Sequence, residues 1–188
     1  MRAGTAPPER RLRSGASAYL SYMGQLLRTA RCRSRALGAL LHAVPFTTLC
    51  AQSLTNPGFE GSFSTTAAGW TAITYGSPFP SVVYSPESDQ VHGGLRAQRI
   101  DVGDLGGGAT LLAQALDFPA GNTYRASVWL RAAAAMKVAV YLQERVPYYW
   151  VPAVRLVNVD TAWVQVVIEG GFDRDIPDDA ATVPGRLV

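Results

Sequence analysis

From residue 70 to residue 169 the chain is a succession of short runs rich in β-branched and aromatic residues, punctuated by Gly, Pro, Asn and Asp, with no sustained helical period. The runs of strand length are 70–75 "WTAITY", 80–85 "PSVVYS", 96–102 "RAQRIDV", 109–118 "ATLLAQALDF", 122–131 "NTYRASVWLR", 136–144 "MKVAVYLQE", 151–158 "VPAVRLVN" and 162–169 "AWVQVVIE". Successive strands with no helices between them cannot make the crossovers of a parallel sheet, so the expected fold is all-β, an antiparallel β-sandwich. The alanines at 132–135 fall between two strands and read as a hairpin loop. "GDLGGGAT" (103–110) reads as a flexible connector, because it lacks the lysine and following helix of a phosphate-binding loop.

The segment before these strands has a different character. Residues 1–35 hold eight arginines against one acid, Glu9, and the following run "ALGALLHAVPFTTLCA" is apolar. That run is shorter than the about 20 residues needed to span a bilayer. A basic region, a short apolar segment and small residues at Cys50 and Ala51 form the pattern of a secretory signal over 23–51, with cleavage expected between Ala51 and Gln52. Met23 starts a more ordinary signal, so residues 1–22 are expected to be a mis-called start or a disordered leader. A lipoprotein anchor at Cys50 is the weaker alternative, since "TTLC" lacks a small residue just before the cysteine. The expected location is extracellular or periplasmic.

Removing residues 1–51 inverts the charge. The whole chain is +3, but residues 52–188 carry eight Arg and Lys137 against thirteen acids, 9 − 13 = −4. The basic balance therefore gives no nucleic-acid signal, and no membrane association is expected once the signal is cleaved. Cys32 and Cys50 both precede Gln52, so the rest of the chain has no thiol for a disulfide, a zinc site or a nucleophile. The remaining 188 − 51 = 137 residues suit a single domain, 52–188.

Alternation assigns faces to the strands. In "TYRASVWLR", Tyr124, Ala126, Val128 and Leu130 fall on one side and Arg125, Ser127, Trp129 and Arg131 on the other. In the next run Met136, Val138, Val140 and Leu142 are the core set, leaving Lys137, Ala139, Tyr141 and Gln143 facing away. If these two strands close a hairpin with Leu130 opposite Met136, then Trp129 faces Lys137 and Arg125 faces Tyr141. Strand 162–169 adds Trp163, Gln165 and Glu169, with Val164, Val166 and Ile168 inward. Flat aromatics mixed with amides and guanidiniums suit a sugar, whose C–H face stacks on a ring while its hydroxyls meet polar groups. The expected ligand-binding residues are thus Trp129, Tyr141, Arg125, Arg131, Gln143 and Gln165. The competing reading buries Trp129 and Trp163 beneath loops or a neighbouring domain.

"NPGFE" (56–60), Trp70, "VHGG" followed by "LRAQRI" (91–100), "PAGNTYRASVWLR" (119–131) and "DTAWVQVVIEG" (160–170) stand in an order that resembles the carbohydrate-binding modules of families four, nine and twenty-two. The resemblance covers roughly residues 53–172. It implies a galactose-binding-like jelly roll that binds polysaccharide of the xylan or glucan class without catalysis, attached to the catalytic domain of a secreted glycoside hydrolase. It also implies a structural calcium near Glu60, which would otherwise cap a turn. The family's final strand, with an aspartate pair, would follow "GRLV", so the expected jelly roll lacks its last strand unless 180–188 "AATVPGRLV" supplies a closing one.

Other chemistry is weakly supported. Glycosidases need two carboxyl groups about 5–9.5 Å apart, and Glu60, Glu144 and Glu169 sit on separate elements. "DRDIPDD" (173–179) lacks the glycine and terminal glutamate of an EF-hand loop. His92 is the one histidine after Ala51, so a nucleophilic triad is not expected, and its expected role is to orient the "VHGG" turn. A structural or adhesive jelly roll that binds no glycan is the alternative function.

Overall fold

The computed structural model describes residues 16–21, 27–29, 54–119, 121–145, 149–172 and 182–188. Eleven strands and no helix occur among them: β1 (Ala16–Ser21), β2 (Leu27–Thr29), β3 (Thr71–Tyr75), β4 (Ser81–Glu87), β5 (Ala97–Asp104), β6 (Ala109–Pro119), β7 (Thr123–Ala132), β8 (Met136–Glu144), β9 (Ala153–Val159), β10 (Val164–Gly171) and β11 (Thr182–Leu187). Each of the eight runs expected from alternation is a strand, with its ends within two residues of those expected. With no helix among the described residues, none there is long and apolar enough to cross a membrane.

All strand pairs are antiparallel and form two sheets. One has the order β10-β7-β1-β5-β4, with β2 also paired to β7; the other has the order β3-β6-β11-β8-β9. Their facing sides make one core. From the first sheet come Ile100, Tyr124, Ala126, Val128, Leu130, Val166 and Ile168; from the second, Leu112, Phe118, Val140, Leu142, Val159 and Leu187. Two sheets with apolar alternate residues turned toward each other are a β-sandwich, the arrangement that hides both apolar faces at once.

Aromatic packing closes one end. Tyr124 and Phe118 are fully buried with ring centroids 4.7 Å apart, and Phe172 stacks on Phe118 at 4.5 Å. The Tyr124 hydroxyl donates to the Pro119 carbonyl at 2.7 Å, so the only polar atom of that ring is satisfied.

The segment 54–70 closes the gap between the sheets elsewhere, and it explains "NPGFE". The Phe59 N–H donates to the Asn56 carbonyl at 3.2 Å, and the Gly61 N–H to Asn56 Oδ1 at 2.8 Å. Asn56 and Phe59 have φ of 49° and 59°, a tight left-handed turn that drives Phe59 into the core, 5.1 Å from the Trp70 ring. Two buried glutamines fix this segment, one from each sheet. Gln98 on β5 accepts from the Ala67 N–H at 2.8 Å and donates to the Ser85 and Arg99 carbonyls at 3.0 and 3.1 Å. Gln114 on β6 accepts from the Thr55 N–H and donates to the Thr55 carbonyl, both at 2.7 Å, and to the Gly69 carbonyl at 3.1 Å.

Two expectations change, and one alternative left open is answered. Strands β7 and β8 do not close a hairpin: β7 pairs with β10, β1 and β2, and β8 with β9 and β11, in the other sheet. The segment 133–135 is therefore a passage between sheets, and it lets both strands bury their apolar sides in one core. Residues 16–21, expected to lie outside the domain, form β1 between β5 and β7. Finally, 182–187 does supply a strand, seated between β6 and β8. Of the expected signal segment 23–51, only Leu27–Thr29 is among the described residues, and it pairs with β7.

Candidate functional site

The outer side of the six-stranded sheet gathers part of the residues expected to bind sugar. Register places Gln165 opposite Trp129, Val167 opposite Ser127 and Glu169 opposite Arg125. Their neighbours Leu130, Val128 and Ala126 are buried on the core side, so the parity expected for β7 and β10 holds. Arg125 and Gln165 are exposed, while Trp129, Trp163 and Arg131 are half-buried. Arg131 donates from Nε to the Thr161 carbonyl at 2.7 Å, which draws the loop between β9 and β10 against this face.

The indole of Trp129 is not bare. The His92 ring stacks on it with centroids 3.8 Å apart and planes 14° apart, and Trp163 meets the same imidazole edge-on at 5.6 Å. His92 is exposed and rides on the turn between β4 and β5. Two carboxylates hold that turn at its ends. Glu87, at the end of β4, accepts from the Asp89 and Gln90 N–H groups at 2.8 and 3.3 Å. Glu60 accepts from the Leu95 N–H at 3.0 Å on both oxygens and from the Arg96 N–H at 3.4 Å. Gly94 has φ of +76°, and a Cβ there would run into the Glu60 carboxylate, so glycine is required for the chain to pass so close.

Burial alone would raise the Glu87 carboxyl above the ordinary glutamate value. The N–H groups of Asp89, Gln90 and Ser88 and the nearby Arg99 guanidinium outweigh burial and hold it below. Arg99 Nη1 stands 3.5 Å from Glu87, and its Nε lies 2.8 Å from Asp101, so a charged cluster borders the aromatic one on the same sheet.

Glu60 was expected to ligate calcium by resemblance. Both its oxygens face backbone donors, and among the described residues no three acidic, His or Cys side chains group as metal ligands. A hard cation of this kind needs six to eight oxygens. Backbone carbonyls supply many of those oxygens, and Glu60 itself serves as the anchor of the His92 turn.

Tyr141 and Gln143 lie elsewhere. Both belong to the five-stranded sheet and face away from the core, on the opposite outer side of the sandwich from Trp129. Gln143 accepts from Arg186 Nε at 2.8 Å and donates to the Tyr149 carbonyl at 3.2 Å, a structural engagement. Burial raises the Tyr141 hydroxyl above the ordinary tyrosine value, neighbouring Tyr75 adds to the rise, and Arg186 opposes it. The six expected residues thus divide into Trp129, Arg125, Arg131 and Gln165 on one face and Tyr141 and Gln143 on another.

Alternation alone did not reveal His92 as a member of the aromatic face, because its partner lies on a strand distant in sequence. One glutamine was legible in principle: Gln114 stands on the core-facing side of β6 between Leu112 and Leu116, which marks a polar group with a structural task, whereas Gln98 has Arg96 and Ile100 in the corresponding places and gave no such signal.

Fold and face together define an all-β sandwich with an aromatic and polar cluster on the outside of one sheet. Comparison of the chain with protein-family models, characterised proteins and solved structures returns no match.

Proposed function

We propose that this chain is a noncatalytic polysaccharide-binding domain, a jelly roll of galactose-binding-like type, and that it holds a polysaccharide of the xylan or glucan class on the outer side of the six-stranded sheet. The observation that carries this reading is the half-buried Trp129 indole on that side, beside Trp163 and flanked by Arg125, Arg131 and Gln165. A sugar ring stacks on the indole in the place His92 now holds, and the guanidiniums and the amide bind hydroxyls along its rim. The His92 turn therefore swings aside on binding. By the sequence resemblance the domain works beside the catalytic domain of a glycoside hydrolase.

The stack of His92 on Trp129 also favours a second reading, in which the ring is satisfied within the chain and the domain has a structural or adhesive role. Affinity electrophoresis through xylan, glucan and mannan separates the two. The proposal predicts retardation on at least one polymer, lost in Trp129→Ala, with no release of reducing sugar. Free migration on all of them supports the second reading.

A further inference from the structure

The turn between β4 and β5 is fastened at both ends. At its root the Glu87 carboxylate holds the Asp89 and Gln90 N–H groups, and at its far end Glu60 holds those of Leu95 and Arg96. Between the two anchors stand Val91, His92, Gly93 and Gly94, and the two glycines leave the backbone beside the imidazole unrestrained by side chains. What seats the middle of the turn is the His92 ring, stacked on the Trp129 indole at 3.8 Å and 14° and met edge-on by Trp163 at 5.6 Å. His92 is itself exposed, so a proton reaches the ring without the turn opening, and a charged ring keeps water on its outer face.

Imidazole is the side chain that ordinarily gains its charge between pH 8 and pH 5. A cationic ring lying over an indole face within about 6 Å is attracted by the negative face of that ring, in addition to the stacking a neutral imidazole already has. The charges round about do not reverse this. β7 contributes Arg125 and Arg131, the loop before β10 Asp160, β10 Glu169, and the turn itself Asp89 and Arg96, with Glu60 and Glu87 at its ends. On β5, Arg99 stands against Glu87 and Asp101. Carboxylates and guanidiniums keep their charge across this pH range, and the carboxylates outnumber the guanidiniums. Arg125 lies four residues along β7 from Trp129, about 13 Å away, which exceeds the screening length of about 8 Å at physiological salt. Arg131 is drawn aside to the Thr161 carbonyl.

We propose that His92 is a proton-operated latch: as pH falls from 8 to 5.5 the charged imidazole grips Trp129 more firmly and holds the turn 88–95 closed over the indole. An attraction of the size usual at exposed sites shifts the balance of closed and open turn about two- to fivefold. The consequence for sugar rests on the glycan reading above: the site on Trp129 shuts in acid and opens near neutrality.

The test compares full-length wild type, His92→Gln and Trp129→Phe at pH 8 and pH 5.5 in one salt, each shown to be folded by a cooperative thermal transition. His42 is present in all three, so a difference between the first two belongs to His92. Without sugar, acrylamide quenching of tryptophan emission is measured, and the part absent from Trp129→Phe reports access to that indole. Expected is quenching of that part about two- to fivefold weaker at pH 5.5 in wild type, with no pH effect in His92→Gln. Equal quenching at both pH values in wild type, or the same change in His92→Gln, overturns the latch. Calorimetry with xylohexaose and cellohexaose then follows. Wild type should bind about two- to fivefold more weakly at pH 5.5, against a constant affinity in His92→Gln; equal or tighter binding by wild type at pH 5.5 overturns the latch as well. If neither oligosaccharide binds while the quenching behaves as expected, the latch stands and the glycan reading falls.

Discussion

Gln98 shows most plainly how one side chain holds the fold together. It is fully buried, and its amide joins β5 to the Ala67 N–H of the segment 54–70 and to the Ser85 carbonyl of β4. Gln98→Leu keeps the volume but leaves the Ala67 N–H without a partner, at a cost of about 1–3 kcal/mol. A Tm lowered by several degrees is expected, and an unchanged Tm would show that the amide carries no load. His92 acts in the other direction. Aromatic stacks are worth about 0.5–1.5 kcal/mol beyond area burial, and a sugar on Trp129 must displace this one. His92→Ala should therefore tighten polysaccharide binding up to about tenfold, read as stronger retardation in the gel. Weaker retardation would make the imidazole part of the binding surface instead.

At the scale of elements, alternation made the strands and their faces legible and left their partners hidden. Period-2 patterning in β7, β8 and β10 reports which side meets the core, and Ala126, Val128, Leu142 and Val166 are buried as expected. It does not report which sheet a strand joins, because β7 and β8 would present the same pattern as a hairpin or across a sandwich. That ambiguity put Trp129 and Tyr141 on one surface in the sequence reading, whereas the passage at 133–135 separates them. The turn between β4 and β5 was equally opaque, since its shape comes from Glu60 and Glu87, carboxylates from outside the turn and at its root. Because Glu87 is held below the ordinary glutamate value of about 4.3, its contribution to stability is present above that pH and is lost as pH falls through its lower folded value. Wild type should thus exceed Glu87→Gln in Tm near neutrality, and the difference should shrink as pH drops below about 4. A difference constant across this range would remove the carboxylate's charge from the account.

For the whole molecule, the two sheets share one core, and the strand that completes the larger sheet comes from the N-terminal segment. β1 lies between β5 and β7, so it joins the half of the sheet that carries Trp129 to the half that carries Arg99. A chain beginning at Met23 lacks that strand and presents two unpaired edges in the middle of a sheet. Its Tm should fall by more than about 5 °C relative to the full chain, with concentration-dependent aggregation; equal Tm values would show that β5 and β7 do not depend on β1. The placement of Trp129 and Tyr141 on opposite outer sides also supplies the most direct test of the proposed glycan face. Trp129→Ala and Tyr141→Ala are run beside wild type through one xylan gel and one glucan gel. The account predicts that on any polymer that retards wild type the first variant migrates freely while the second is retarded as wild type is, and retention by Trp129→Ala with loss in Tyr141→Ala would contradict it.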